Sequence, residues 1–377
     1  MQYVKAELLY DGVGVQRNVY VGFEGDVVSY VGKSKRGGGE VLGEGVVTPA
    51  FIDGHSHIGM ARSGEPSRED EANEQMDSVY PLVNALHSVY MDDSAFRESV
   101  ENGVLYSTVL PGSGNVIGGK AVLIRNFAPN VREAYVMDVG IKAALGYNPR
   151  STTEWKGRRP TTRMGAVALL RENFIKAVKT KRLIEKEKKL PEEVEPLTEI
   201  FMDILSGKYK MMVHLHKEDD AMVLLSLVEE FGFKAVLNHG LDIYREDVFR
   251  TVRDAGVPLV YGPMDSFPYK VELKHESWRN AKAVLASGIK FCMMSDHPVL
   301  LQRNMLYTLR HFMRFGLTKE KAISKLTKEA AEIIGAQNLG QVKDGYKASF
   351  VVWSGDPFDV ASYPKLVIGE GRVVHQE

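Results

Sequence analysis

Eight apolar runs recur through the middle of this chain, and helix-period segments lie between several of them. The runs are Val46 to Ile52, Leu105 to Leu110, Ala121 to Ile124, Val139 to Leu145, Met211 to His214, Ala235 to His239, Pro258 to Tyr261 and Lys290 to Ser295. Ala221 to Gly232 is an example of the helical stretches between them. Eight strands with helical crossovers indicate an α/β chain folded as a (β/α)8 TIM barrel. An open doubly wound sheet ranks second, because it would scatter the polar strand ends described next.

Four of the potential strands end in His or Asp. The first run leads through Asp53-Gly54 into His55-Ser-His57, the fifth ends in His214-Leu-His216, the sixth in Asn238-His239-Gly240 and the eighth in Ser295-Asp296-His297. Residues i and i+2 of an extended strand project from one face, so two imidazoles so placed can grip one cation. A glycine just ahead of the first pair lets the backbone turn close to the ion. The chain has ten His, and six of them occupy these four places. A barrel carries its catalytic groups at the C-terminal ends of strands, which is where these residues fall. Three His and one Asp make a hard-to-borderline donor set, suited to zinc, manganese or a similar divalent ion.

Both ends of the chain read differently. Tyr3 to Tyr10, Arg17 to Gly22 and Val27 to Val31 are short runs of β-formers broken by Asp-Gly and Gly turns, and so are Phe350 to Trp353, Lys365 to Ile368 and Arg372 to His375. The two ends can pair into one small β domain. Arg62 to Asp77 is a charged loop with Gly, Pro and Ser directly after the first His pair, either a lid or a solvated surface loop. Lys181 to Glu193 is a charged run, simplest as an exposed helix followed by one that starts at a Pro.

Composition excludes several partners. The chain has 377 residues, enough for one large domain plus a small one, and a net charge of -1 implies neither nucleic acid nor a membrane surface. No apolar run approaches the ~18 residues of a membrane span. A single Cys, Cys292, rules out an internal disulfide and fits a reducing, cytoplasmic setting. The first residues lack the basic start and apolar stretch of a signal peptide. A small-molecule substrate is expected, and a homo-oligomer is compatible.

Taken together, Thr48-Pro-Ala-Phe-Ile-Asp-Gly-His-Ser-His57, Leu110-Pro-Gly-Ser-Gly-Asn-Val-Ile-Gly-Gly119, Gly140-Ile-Lys-Ala-Ala-Leu-Gly-Tyr-Asn-Pro149, the His214, His239 and Asp296 strands, and Gly345 to Phe358 resemble the amidohydrolase superfamily. The closer likeness is to its imidazolonepropionase-related branch, which includes metal-dependent prolidases. The resemblance implies a small β-sandwich domain from residues 1–48 and 345–377, with a metal-dependent hydrolase barrel over 49–344. It implies that His55, His57 and Asp296 hold a first metal, zinc before manganese or iron. His214 and His239 would hold a second metal where there is one. A carboxylated lysine bridges both ions in binuclear members. Lys142 is the candidate by order, with Lys120 as the substitute. His216 is then left to the pocket or to Asp219 or Asp220.

The chemistry follows from such a site. A bound divalent ion lowers the pKa of water towards ~7. Asp296 can then serve as general base towards an amide, cyclic amide or dipeptide carbonyl and return the proton to the leaving nitrogen. Tyr261, which ends the seventh run, and Asn115 are weaker substrate-binding candidates, with Arg150 beside Asn115. Related heterocycle deaminases carry His-X-X-Glu on the fifth strand, whereas positions 214 and 217 here are His and Lys. A deaminase is therefore the alternative, and an inactive binding protein on the same fold is the third reading.

Overall fold

The computed structural model describes residues 1–151 and 157–377. Two sheets organise them. The first joins both ends of the chain. It contains β1 (Gln2–Tyr10), β2 (Val15–Glu24), β3 (Val27–Gly32) and β4 (Val41–Pro49), then β13 (Phe350–Trp353), β14 (Pro364–Gly369) and β15 (Arg372–Gln376). Their order is β15-β14-β13-β4-β1-β2-β3. The expected sandwich is thus one continuous sheet of seven strands, curled over its own core of Val4, Val21, Phe23, Phe350 and Ile368. Phe23 meets Phe350 edge to face at 5.5 Å, and the Val28 backbone N–H donates to the Tyr346 carbonyl, so the sheet's flanks touch.

The second sheet has eight strands: β5 (Phe51–Ser56), β6 (Val104–Val109), β7 (Ile117–Arg125), β8 (Tyr135–Ala144), β9 (Met211–Leu215), β10 (Ala235–His239), β11 (Leu259–Tyr261) and β12 (Phe291–Met293). They pair in chain order from β5 to β12. Every residue of β5, β6, β9, β10, β11 and β12 is buried, which only a sheet covered on both faces achieves. Helices α1 (Ser94–Glu101), α2 (Arg163–Glu185), α3 (Pro196–Leu205), α4 (Glu218–Phe231), α5 (Glu246–Asp254) and α6 (Ala281–Ser287) supply the outer cover.

Two features depart from a regular (β/α)8 barrel. The run read as Val46 to Ile52 breaks at Pro49-Ala50, so its first part belongs to the small sheet and its second to the barrel. In addition, β7 runs antiparallel to both β6 and β8. The cause is length. Only residues 110–116 separate β6 from β7, and an antiparallel pair closes with a short turn where a parallel pair needs a long crossover.

No ladder joins β12 to β5; two backbone hydrogen bonds just beyond β12 close the ring instead. The Asp296 N–H donates to the His55 carbonyl and the His57 N–H to the His297 carbonyl, each at 3.0 Å. Gly54 permits this approach. A Cβ there would stand 2.8 Å from Val260 Cγ1 and 2.9 Å from both Cys292 Sγ and the Met293 carbonyl. The small sheet is tied to the barrel by Arg125 Nε on Glu370 Oε1 at 2.7 Å and by Tyr106 on Ser349 at 2.8 Å. Among the described residues, no helix is long and apolar enough to cross a membrane.

Candidate metal centre

Beneath the first His pair lies a buried carboxylate. Asp53 Oδ1 accepts from the backbone N–H of His55 at 3.1 Å and of Ser295 at 3.0 Å, and Oδ2 accepts from Gln302 Nε2 at 2.7 Å and from the Ser295 hydroxyl. Gln302 also reaches Ser107 at 2.7 Å. One side chain thereby fixes β5 against the segment after β12. Burial pushes the Asp53 carboxyl up to about 6, against the pull of these bonds.

Above that floor, His55 Nε2 and His57 Nε2 lie 3.4 Å and 3.2 Å from the same oxygen, Asp296 Oδ1. The i, i+2 spacing has put both rings on one side of the strand end. His57 Nδ1 donates to the Leu110 carbonyl at 2.7 Å, which turns Nε2 towards Asp296. Burial alone would raise the Asp296 carboxyl, yet the His239, His57 and His55 imidazoles beside it hold it well below the usual carboxylate range.

His214, His216 and His239 gather next to them. The ring centres of His214 and His239 are 4.3 Å apart, those of His214 and His216 4.9 Å, and those of His55 and His239 5.0 Å. His239 Nδ1 faces the Gly262 carbonyl at 2.9 Å, and its Nε2 is buried without a hydrogen-bond partner. Two residues of these clusters carry backbone in the left-handed region, His239 at φ +78° and Asp296 at φ +52°. Such positions cost roughly 1–3 kcal/mol and tend to mark sites where geometry serves function. Burial pushes His55, His214 and His216 well down and His239 to about 4, so all four are neutral at pH 7 with lone pairs to offer.

This donor set fits a divalent ion. Within each trio, His55-His57-Asp296 and His214-His216-His239, the donor atoms lie within 4.8 Å of one another. An orphaned imidazole nitrogen in a buried cluster is what a cation would satisfy. Lys142 is fully buried with Nζ 3.0 Å from His55 Nε2, and burial pushes its amine down to about 7. Lys120 stands apart, on the other face of the barrel wall near Asp138 and Tyr209.

The remaining candidates fall elsewhere. His216 joins the second trio directly. Tyr261 packs its ring against Phe249 and Phe312 in the core, because the side chain at that strand end points away from the clusters. Asn115 donates to the Glu74 and Asp77 carbonyls at 2.8 and 3.0 Å, so its amide ties down the Arg62 to Asp77 loop. Arg150 lies over the Tyr147 ring. Glu272, Lys270 and Asn148 at the mouth were absent from the sequence reading. No spacing pattern marks Lys270 and Glu272, since the loop after β11 reaches the site only through the fold, and Asn148 lies just after β8 without a strand-end signature.

Comparison with known proteins agrees with this geometry. The pattern of the amidohydrolase family matches residues 199–374. The solved structure of an amidohydrolase from Thermotoga maritima MSB8 superposes over 100% of both chains with a TM-score of 0.93 and 30% identity. Amidohydrolase tasK of Hapsidospora irregularis is 25% identical over 86% of this chain, which spans only 36% of that protein's length. An imidazolonepropionase of Picrophilus torridus is 23% identical over 85% of this chain and 80% of its own.

Proposed function

The chain belongs to the amidohydrolase family, and from that premise we propose that it hydrolyses the C–N bond of a small amide, cyclic amide or dipeptide. The observation that carries this reading is the convergence of His55 Nε2 and His57 Nε2 on one oxygen of Asp296, within 3.4 Å, beside three further buried imidazoles. His55, His57 and Asp296 would hold the first ion, zinc ahead of manganese or iron. His214 and His239 would take part in holding a second. A divalent ion bound there brings the acidity of water near neutrality.

The protein's own groups do the rest. Asp296 Oδ2 is the general base. A side chain that stays ionised beside three imidazoles accepts a proton from water and returns it to the departing nitrogen. His57 keeps its orientation through the Leu110 carbonyl, and Asp53 keeps the His55 backbone in place. Lys142, whose amine burial brings to about 7 so that roughly half sheds its proton at neutral pH, is the candidate for carboxylation by carbon dioxide. Labelled bicarbonate should then give a carbamate carbon signal that Lys142→Met abolishes.

The deaminase alternative lacks its carboxylate on β9. Position 217 is a lysine whose Nζ pairs with Asp242 Oδ2 at 2.9 Å. The division into residues 1–48 with 345–377 and 49–344 is proposed as one of labour, with the barrel alone carrying chemistry. A cytoplasmic setting accords with the buried, unbridged Cys292. The test is turnover of the zinc-loaded protein on a panel of dipeptides and cyclic ureides, with product and ammonia analysis. Amide hydrolysis without ammonia supports the reading; ammonia from heterocyclic amines, with the dipeptides and ureides untouched, replaces it with deamination.

A further inference from the structure

Glu272 is a buried acid with no task in the reading above. It hangs from the loop after β11 and is 2% exposed. Two features aim it. The Tyr147 backbone N–H donates to its Oε2 at 2.9 Å. Gly146, at φ +83°, makes room for that oxygen, since a Cβ there would stand 2.8 Å from it. The other oxygen, Oε1, is turned to the histidines, 3.7 Å from His214 Nε2 and 3.9 Å from His216 Nε2. His239, in the same trio, has its Nε2 buried and unpartnered.

Donor atoms around a tetrahedral zinc stand roughly 3.3 Å apart, given bonds of ~2.0–2.1 Å. The separations of Glu272 Oε1 from His214 and His216 exceed this by roughly half an ångström, and a turn of the carboxylate towards the trio would be needed for all four donors to meet on one ion. Sites with four protein donors are closed, whereas catalytic sites keep one position free for water. We propose that His214, His216, His239 and Glu272 form a closed four-donor cation site, next to an open one at His55, His57 and Asp296; only the role of the open site rests on the function proposed above. Lys142 sits on the His55 side and is not required by the closed site. Lys270 Nζ competes for Oε1 at 3.0 Å, and Asn148 Oδ1, 3.1 Å from the same nitrogen, can hold the ammonium once Glu272 turns to the ion.

The test titrates the metal-free full chain with cobalt(II), reading metal bound per chain and visible absorption, which is intense for four-coordinate cobalt. The intact protein takes up two equivalents; an open site completed by water is also four-coordinate, so the closed site is read in the His57→Ala background, where it alone is filled. Adding Glu272→Gln to His57→Ala should change that spectrum and weaken the remaining equivalent at least about tenfold. Lys270→Met, with the competing ammonium gone, should bind it several-fold more tightly. An unchanged spectrum and affinity in that double variant overturn the proposal. If that variant does not fold, Lys270→Met decides, and unchanged or weaker affinity overturns it. His57→Ala should lose the other equivalent and keep the intense spectrum. If it keeps both equivalents, the open-site reading fails while the closed site stands.

Discussion

The two clusters use the same chemistry in different surroundings. In the first, the side chains of His57 and Asp296 are 13% and 16% exposed; in the second, those of His214, His216 and Glu272 are each 3% exposed. The first stands at the barrel's seam, where two hydrogen bonds replace a ladder. The second rises from β9 and β10, paired in unbroken register from Ala235–Met211 to His239–Leu215, under the loop after β11. Position in the sheet, rather than residue type, decides which cluster water and substrate can reach.

Four experiments would break or sharpen that contrast. Asp296→Asn should lower turnover by ~10³-fold or more with an unchanged circular dichroism spectrum; near-normal activity would remove Asp296 from the role of base. Dialysis against a chelator should act in two stages, with activity and part of the thermal stability lost first and a second fall in melting temperature as the enclosed ion leaves. Simultaneous loss would mean that the clusters do not differ in access. Gly54→Ala crowds the seam at three contacts under 3 Å and should cost about 2–3 kcal/mol in denaturant unfolding, with turnover reduced alongside. A stable, fully active variant would show that the seam tolerates a methyl group. Asn115→Ala should cost about 1 kcal/mol and speed proteolysis near residues 74–77, leaving the clusters' metal content unchanged.

The site was more legible than its surroundings. Strand ends bearing His55, His57, His214, His239 and Asp296 could be read because period-2 geometry and apolar runs are local properties. The direction of β7 could not, since an apolar strand reads alike either way and only the shortness of residues 110–116 hinted at a turn. Tyr261 ends its strand as the histidines do, yet points into the core, because side-chain facing depends on register with neighbours. Glu272 was invisible for the opposite reason. It lies in no strand, and the alternation of Lys270 and Glu272 inward with exposed Tyr269 and Val271 outward arises only once the loop is laid across the barrel mouth.

The closing bonds of the ring involve the backbones of His55, His57 and Asp296, the residues whose side chains converge at the proposed open site. Anything that pries β12 from β5 must therefore pull the chelating groups apart in the same motion. Conversely, an ion gripped there would act as a clasp on the seam, so that its dissociation and the first opening of the wall would coincide.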